Sequence, residues 1–393
     1  MTIDSQASWT AAFRSAVVSP HESLDLFEPR SFAAQTLRQV IRLDGGGSAL
    51  RVRLSNRYGK EPLRVGGAHL AIRTQDSAID PHSDTPLRLD GATDFTVPAG
   101  EEVITDPLER PVAAGDEMAI TLWLPEHTGP ATYSAVPLRT GYAVPGNALT
   151  APTLAGTEGL EELATRHFLT GADVLAPAGT AVAVAFGDSW FEGAGTTTDT
   201  DHRFPDLLNR RLRDAGRRGW VVNQGISANR LLTDEIGEHA LARLQRDALD
   251  VPGVTHVLIH FGLNDLGLPG QEAYPATAPI PTAADLITGL TTLADRIHAA
   301  GLTAVATTVG PYKDTVYEGY STPEGVAVAR EVNDWIRGAD SPFDSYADFA
   351  AAVADPADHD RIRDDYDCGD GLHVNDAGAQ ALADSVDLAA LDL

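Results

Sequence analysis

The chain carries one cysteine, Cys368, in 393 residues. A single thiol closes no intrachain disulfide and builds no thiolate metal site, so packing has to hold the fold. Positive charge is scarce: Lys and Arg total 29 against 56 Asp and Glu, a formal net charge of −27, and lysine occurs only at positions 60 and 313. So acidic a chain repels a phosphate backbone and an anionic bilayer, which argues against nucleic acid as a partner. Long apolar runs are also missing. No stretch approaches the ~18 residues that a membrane-crossing helix needs, and MTIDSQASWT lacks the basic head and apolar stretch of a signal peptide. The expected location is cytoplasmic, or secreted if a signal peptide lies outside this chain. Hydrophobic residues make up 43% and charged residues 22%, the composition of a folded globular protein. The length suits two domains better than one core.

Two halves differ in period. Before about residue 175, Leu50, Val52 and Leu54 alternate with Arg51, Arg53 and Ser55, and Ala68, Leu70 and Ile72 and then Met118, Ile120, Leu122 and Leu124 repeat the period of two. Turn formers separate these runs at Asp44 to Gly47, Gly66-Gly67, Pro98 to Gly100 and Gly115-Asp116. Short strands with one wet face predict an antiparallel, jelly-roll-like β-sandwich over 1–176. Gly, Ala and Pro between about 140 and 180 read as its linker.

The second half, 177–393, alternates strand and helix. Val182, Val184 and Phe186 lie in an apolar run typical of a central parallel strand. A helical stripe at Phe204, Leu207, Leu208 and Leu212 follows, then strand Trp220 to Val222 and a helix through Leu241 and Leu244. Strand Val257 to Ile259 precedes a helix with Leu286, Leu290, Leu293 and Ile297; strand Ala304 to Ala306 precedes one with Val328, Val332 and Trp335. The pattern predicts a doubly wound, flavodoxin-like α/β domain of three layers, whose ligands bind beyond the carboxyl ends of its strands.

Four segments stand at such ends or near the C-terminus: Gly187-Asp188-Ser189, Asn223 to Ser227, Phe261 to Asp265, and Asp370-Gly371-Leu372-His373. Each alone reads as a helix cap or turn. Together they hold what acyl transfer needs. A serine hydroxyl requires a neutral imidazole to take its proton, which His373 supplies. A carboxylate three residues earlier, Asp370, can hold the other ring nitrogen. A tetrahedral oxyanion needs preorganised neutral donors, for which a Gly amide, an Asn side chain and the Ser189 amide are suitable types.

The set resembles the GDSL-type esterases, or SGNH hydrolases, over roughly residues 181 to 385. The resemblance implies Ser189 as nucleophile, Gly225 and Asn264 as oxyanion donors, and Asp370 with His373 as the relay. Asp201 to Pro205 and Val332 to Arg337 also look familiar from the bacterial carbohydrate-esterase-like branch. It implies a metal-independent serine esterase without cofactor, acting on short-chain esters, such as O-acetyl groups on a carbohydrate or a small natural product. An acyltransferase using the same acyl-enzyme, or a carbohydrate-binding protein on a hydrolase scaffold, are the competing readings. Trp190-Phe191 depart from the small pair usual after the serine, and either narrow the acyl pocket or pack under the first helix.

Other residues invite over-reading. Asp365, Asp367, Asp370 and Asp376 do not keep calcium-loop offsets, His260 has the position of a core histidine, and Cys368 lacks a base. Asp188 is expected to brace its turn by local hydrogen bonds. Arg203, Arg210, Arg211, Arg213, Arg217 and Arg218 read as a solvated helix face. Leu268 to Pro281 and Gly310 to Lys313 are expected to wall the cleft.

Overall fold

The computed structural model describes residues 7–22, 28–271 and 279–393. It divides into two compact units, Met1–Thr180 and Ala181–Leu393.

The first unit is built on two antiparallel sheets. One has the strand order Ala7–Arg14, Leu169–Pro177, Leu50–Ser55, Glu102–Ile104; the other centres on Gln35–Arg42, Glu117–Leu124 and Gly67–Gln75. The alternating runs are strands, and in Leu50–Ser55 the arginines lie on the wetter face as read, but Glu117–Leu124 has no such face. Ala119 and Thr121 are as buried as Met118 and Ile120, because the chain after Pro145 folds over the sheet. Arg38, fully buried, donates there to Thr121 Oγ1, Ser77 O and Ala151 O, and Leu154 packs on Tyr142 and Val144. Ile72 is exposed. Residues 140–180 are therefore not a linker: their Gly and Pro make turns between strands, and Leu169–Pro177 pairs on both edges, with Ala7–Arg14 and Leu50–Ser55.

The second unit holds five parallel strands: β1 (Val182–Gly187), β2 (Trp220–Asn223), β3 (Val254–His260), β4 (Thr303–Thr307) and β5 (Ser345–Ala347), ordered β2-β1-β3-β4-β5. Every residue of β1 is buried, as a strand with parallel neighbours on both sides requires. Helices α1 (Ser189–Glu192), α2 (Phe204–Asp214), α3 (Ala240–Leu244), α4 (Leu263–Gly267), α5 (Ala283–Ala299), α6 (Pro323–Arg337), α7 (Phe349–Val353), α8 (Asp376–Ser385) and α9 (Leu388–Leu391) complete it. The stripes of α2 and α5 are buried as read; on α6 the buried face is Val326, Ala329, Val332 and Ile336, while Val328 and Trp335 sit at its margin. Chain direction away from β1 reverses between β2 and β3, and in such sheets the crevice at the carboxyl ends at that switch point is where ligands bind.

The arginines around α2 are not a solvated face throughout. Arg211 donates to Ala383 O and Val386 O, and Arg217 to Leu388 O, stitching α2 to the ends of α8 and the start of α9. Arg203 instead forks onto Asp206 at the helix start.

Candidate active site

The end of β1 runs into a tight cap. Asp188 Oδ1 accepts the Trp190 amide at 3.1 Å, starting α1 on Ser189 and leaving the serine at the mouth of the sheet. Ser189 is 4% exposed. From the other end of the chain, Asp367 Oδ1 collects the amides of Gly369, Asp370 and Gly371, which bends the backbone so that Asp370 and His373 lie side by side. Ser189 Oγ lies 2.9 Å from His373 Nε2, and His373 Nδ1 lies 2.7 Å from Asp370 Oδ2. A carboxylate accepts, so the proton on the ring sits on Nδ1 and Nε2 is the free acceptor for the serine hydroxyl. Burial lifts the Asp370 carboxyl, but the His373 ring and the amides of His373 and Leu372 outweigh it and hold it well below the usual carboxylate range.

Trp190 and Phe191 are core residues. Trp190 stacks on His260 with ring centres 5.2 Å apart, and its indole N–H donates to Leu372 O at 3.0 Å. That bond ties the nucleophile's helix to the residue before the imidazole. Phe191 stacks on Phe204 at 5.0 Å. Gly310 lies against the Trp190 ring, where a Cβ would come within 2.0 Å of it, and Tyr312 is buried. Gly310 thus supports α1 from behind, while Tyr312 packs edge-on against Tyr320 and Lys313 pairs with Asp358. Half of the other expected wall, 272–278, lies outside the described residues.

Asn264 and Gly225 part company. Asn264 Nδ2 donates to Asn229 O at 3.1 Å and points to Asp188 Oδ2 at 3.3 Å, beneath the serine turn. Gly225 does not present a free amide: its N–H donates to Asn223 Oδ1 at 2.9 Å. A Cβ there would lie 2.3 Å from Glu192 N and 2.8 Å from Asp188 O. The glycine is there so that α1 can press on the turn after β2. Three residues on, Ala228 is partly exposed and has φ +61°, an uncommon conformation for a residue with a Cβ. Among the described residues the amides of Ser189 and Ala228 donate to no protein acceptor. The sequence reading missed Ala228; nothing in an Ile-Ser-Ala-Asn string marks a left-handed turn.

Arg243 was missed as well. Fully buried, it donates to Gly187 O at the end of β1, Gln224 O after β2 and Asn229 Oδ1, and lies over the Phe186 ring. It fastens the two strand ends that carry the site. Asp188 is wholly buried, which pushes its carboxyl up to about 8 against the pull of the Trp190 amide. His260 Nδ1 meets Thr307 Oγ1 at 2.6 Å, and burial lowers this imidazole to about 3, so it is a neutral core histidine.

For a cation, Asp367, Cys368 and Asp370 bring donor atoms within 4.8 Å of one another. Asp367 is spent on backbone amides and Asp370 on His373, so these groups serve the turn. Partial burial and Asp370 push the Cys368 thiol up to about 11, leaving it protonated and a poor nucleophile.

The model of the GDSL-like lipase/acylhydrolase family matches residues 185–381, half of the chain. Similar solved structures include a lipase/acylhydrolase from Enterococcus faecalis (22% identity, 52% of this chain and 92% of that one, TM-score 0.38). A GDSL-like lipase from Bacteroides thetaiotaomicron (13%, 54% and 88%, 0.39) and a carbohydrate acetylesterase from Sinorhizobium meliloti (15%, 54% and 99%, 0.38) are others. No curated protein matches.

Proposed function

The chain belongs to the GDSL-like lipase/acylhydrolase family, and on that footing we propose that it is a serine esterase that hydrolyses short-chain carboxylic esters through an acyl-enzyme. The observation that carries this reading is the continuous pair of contacts from Ser189 Oγ to His373 Nε2 and from His373 Nδ1 to Asp370.

In the proposed reaction Ser189 Oγ attacks the ester carbonyl carbon while its proton passes to His373 Nε2. Asp370 stabilises the imidazolium and keeps the ring oriented. The carbonyl oxygen becomes an oxyanion, facing the amides of Ser189 and Ala228, and the Asn264 Nδ2–H that rests on Asp188 Oδ2 turns to it as the third donor. Collapse breaks the bond to the alcohol oxygen, which takes the proton from His373. Water, deprotonated by the same nitrogen, then attacks the acyl-serine and releases the acid. The enclosure of Ser189, 4% exposed, favours a small acyl group. We assign the first unit, with its two antiparallel sheets, to a β-sandwich that precedes the catalytic unit in the chain.

Intact-mass analysis after a fluorophosphonate treatment tests the reading. One adduct per chain, mapping to Ser189, is expected. Ser189→Ala should take no label, keep its fold, and lose about 10⁴-fold or more in kcat on p-nitrophenyl acetate. Folded wild-type protein that takes no label and turns over no ester would refute it.

A further inference from the structure

The segment between β4 and α6 is used by none of the steps above, yet it touches two parts of the site. Thr315 Oγ1 and Val316 N both donate to Asp370 O, at 2.7 and 2.9 Å, and Tyr317 Oη lies 3.2 Å from Asp370 Oδ2. Gly371 permits this approach: a Cβ there would stand 2.9 Å from Thr315 Cα. Three residues further, Tyr320 is buried and its hydroxyl donates to Asn264 Oδ1 at 2.8 Å. Its ring lies flush on α4, where a Cβ at Gly267 would come within 2.2 Å of it, and edge-on to Tyr312 at 5.9 Å. One short stretch thus braces the relay carboxylate at one end and the side-chain amide at the other.

We propose that Tyr320 is a positioning residue for ester hydrolysis: its hydroxyl, donated to Asn264 Oδ1, fixes and polarises the amide whose second Nδ2–H, held at 3.3 Å on Asp188 Oδ2 beneath the serine turn, passes to the oxyanion. The inference rests on the esterase reading and assigns this site a part that lies outside the four sequence segments. An amide whose oxygen accepts a strong hydrogen bond is a better donor at nitrogen, because successive hydrogen bonds polarise one another. One Nδ2 hydrogen is committed to Asn229 O and the other rests on Asp188 Oδ2, the longer contact and the one an oxyanion would replace; with Tyr320 on Oδ1 the amide plane has one orientation. Without the hydroxyl, Asn264 Oδ1 is a buried acceptor with no partner, free to turn toward whatever polar group remains. Burial keeps the Tyr320 hydroxyl protonated far above its ordinary range, so it donates at every working pH.

Tyr320→Phe removes the hydroxyl and keeps the ring. The expected result is a 10- to 100-fold fall in kcat on p-nitrophenyl acetate with KM changed less than about threefold, and an equally slowed fluorophosphonate reaction at Ser189, since both transition states use the same donors. A merely structural role would not confine the loss to kcat. The double variant Tyr320→Phe/Asn264→Ala should be no slower than Asn264→Ala alone. Losses that multiply in the double variant, or a folded Tyr320→Phe with wild-type kcat, overturn the inference and leave the esterase reading standing. If Tyr320→Phe does not fold, Gly267→Ala, whose methyl displaces the same ring, must show the kcat-only loss or the inference falls. Wild-type protein without turnover or label overturns both.

Discussion

Asp188 sits one residue before the nucleophile, wholly buried, with its two oxygens turned to the Trp190 amide and the Asn264 side chain. Its carboxyl, pushed up to about 8 by burial, is uncharged at neutral pH. That suits the chemistry, because a negative charge beside Asn264 Nδ2 would oppose a developing oxyanion. The sign for stability follows. The unfolded chain ionises this group near pH 4 and the folded chain near 8, so the stabilisation of the folded state is complete below about pH 4 and lost as pH rises toward 8. Asp188→Asn keeps an acceptor for the Trp190 amide and has no proton to lose. Between pH 5 and 8, denaturant melts should therefore show the variant gaining on the wild type by on the order of 4 kcal/mol; equal pH responses would mean that Asp188 ionises normally. None of this was legible in the sequence, where Asp188 could be read only as a cap. The same holds for Tyr320, whose partner Asn264 lies 56 positions away.

At the scale of elements, the turn after β2 shows why one glycine was misread. A glycine serves either by presenting a bare amide or by letting another backbone come close, and the two uses look alike in a sequence. Gly225 has the second use, under α1. Gly225→Ala should cost about 2 kcal/mol or more in stability and lower kcat, because the methyl has to push away the backbone of Glu192 and Asp188, next to Ser189. Ala228→Gly should do the opposite to stability, gaining roughly 1 kcal/mol by relieving the left-handed conformation. Thermal melts of the two variants settle the order, and a Gly225→Ala protein as stable as wild type would contradict the packing role. Four of the five strands of the second unit, and helices such as α2, α5 and α6, were legible because their apolar periods reflect burial directly, as in β1 and α5; in the first unit Ala7–Arg14, Gln35–Arg42 and Leu169–Pro177 were not picked out. β5 was not, since three residues carry no period. Nor was the covering of the first unit's sheet by the chain after Pro145, a contact between distant segments.

Across the whole molecule, the order β2-β1-β3-β4-β5 brings Ser189, the Ala228 turn and Asn264 to the ends of three adjacent strands, and the loop before α8 carries His373 across to them. Ser189 and Asn264 were recognisable in sequence because each joins a chemical group to a turn at a strand end, and His373 because Asp370 stands three residues before it; the Ala228 turn was not. Every contact named for the site lies between Gly187 and Asn375: the Arg243 fastening, the Trp190 bond to Leu372 O, the Tyr320 brace and the Asp367 turn. The second unit also has its own buried sheet, covered by the stripes of α2, α5 and α6. A core of that kind supports a domain that folds alone. The fragment 178–393 should therefore be soluble, melt cooperatively, and take one fluorophosphonate at Ser189 within about threefold of the full-length rate. A fragment that aggregates, or folds but reacts a hundredfold more slowly, would mean that the first unit supplies part of the site or of its support.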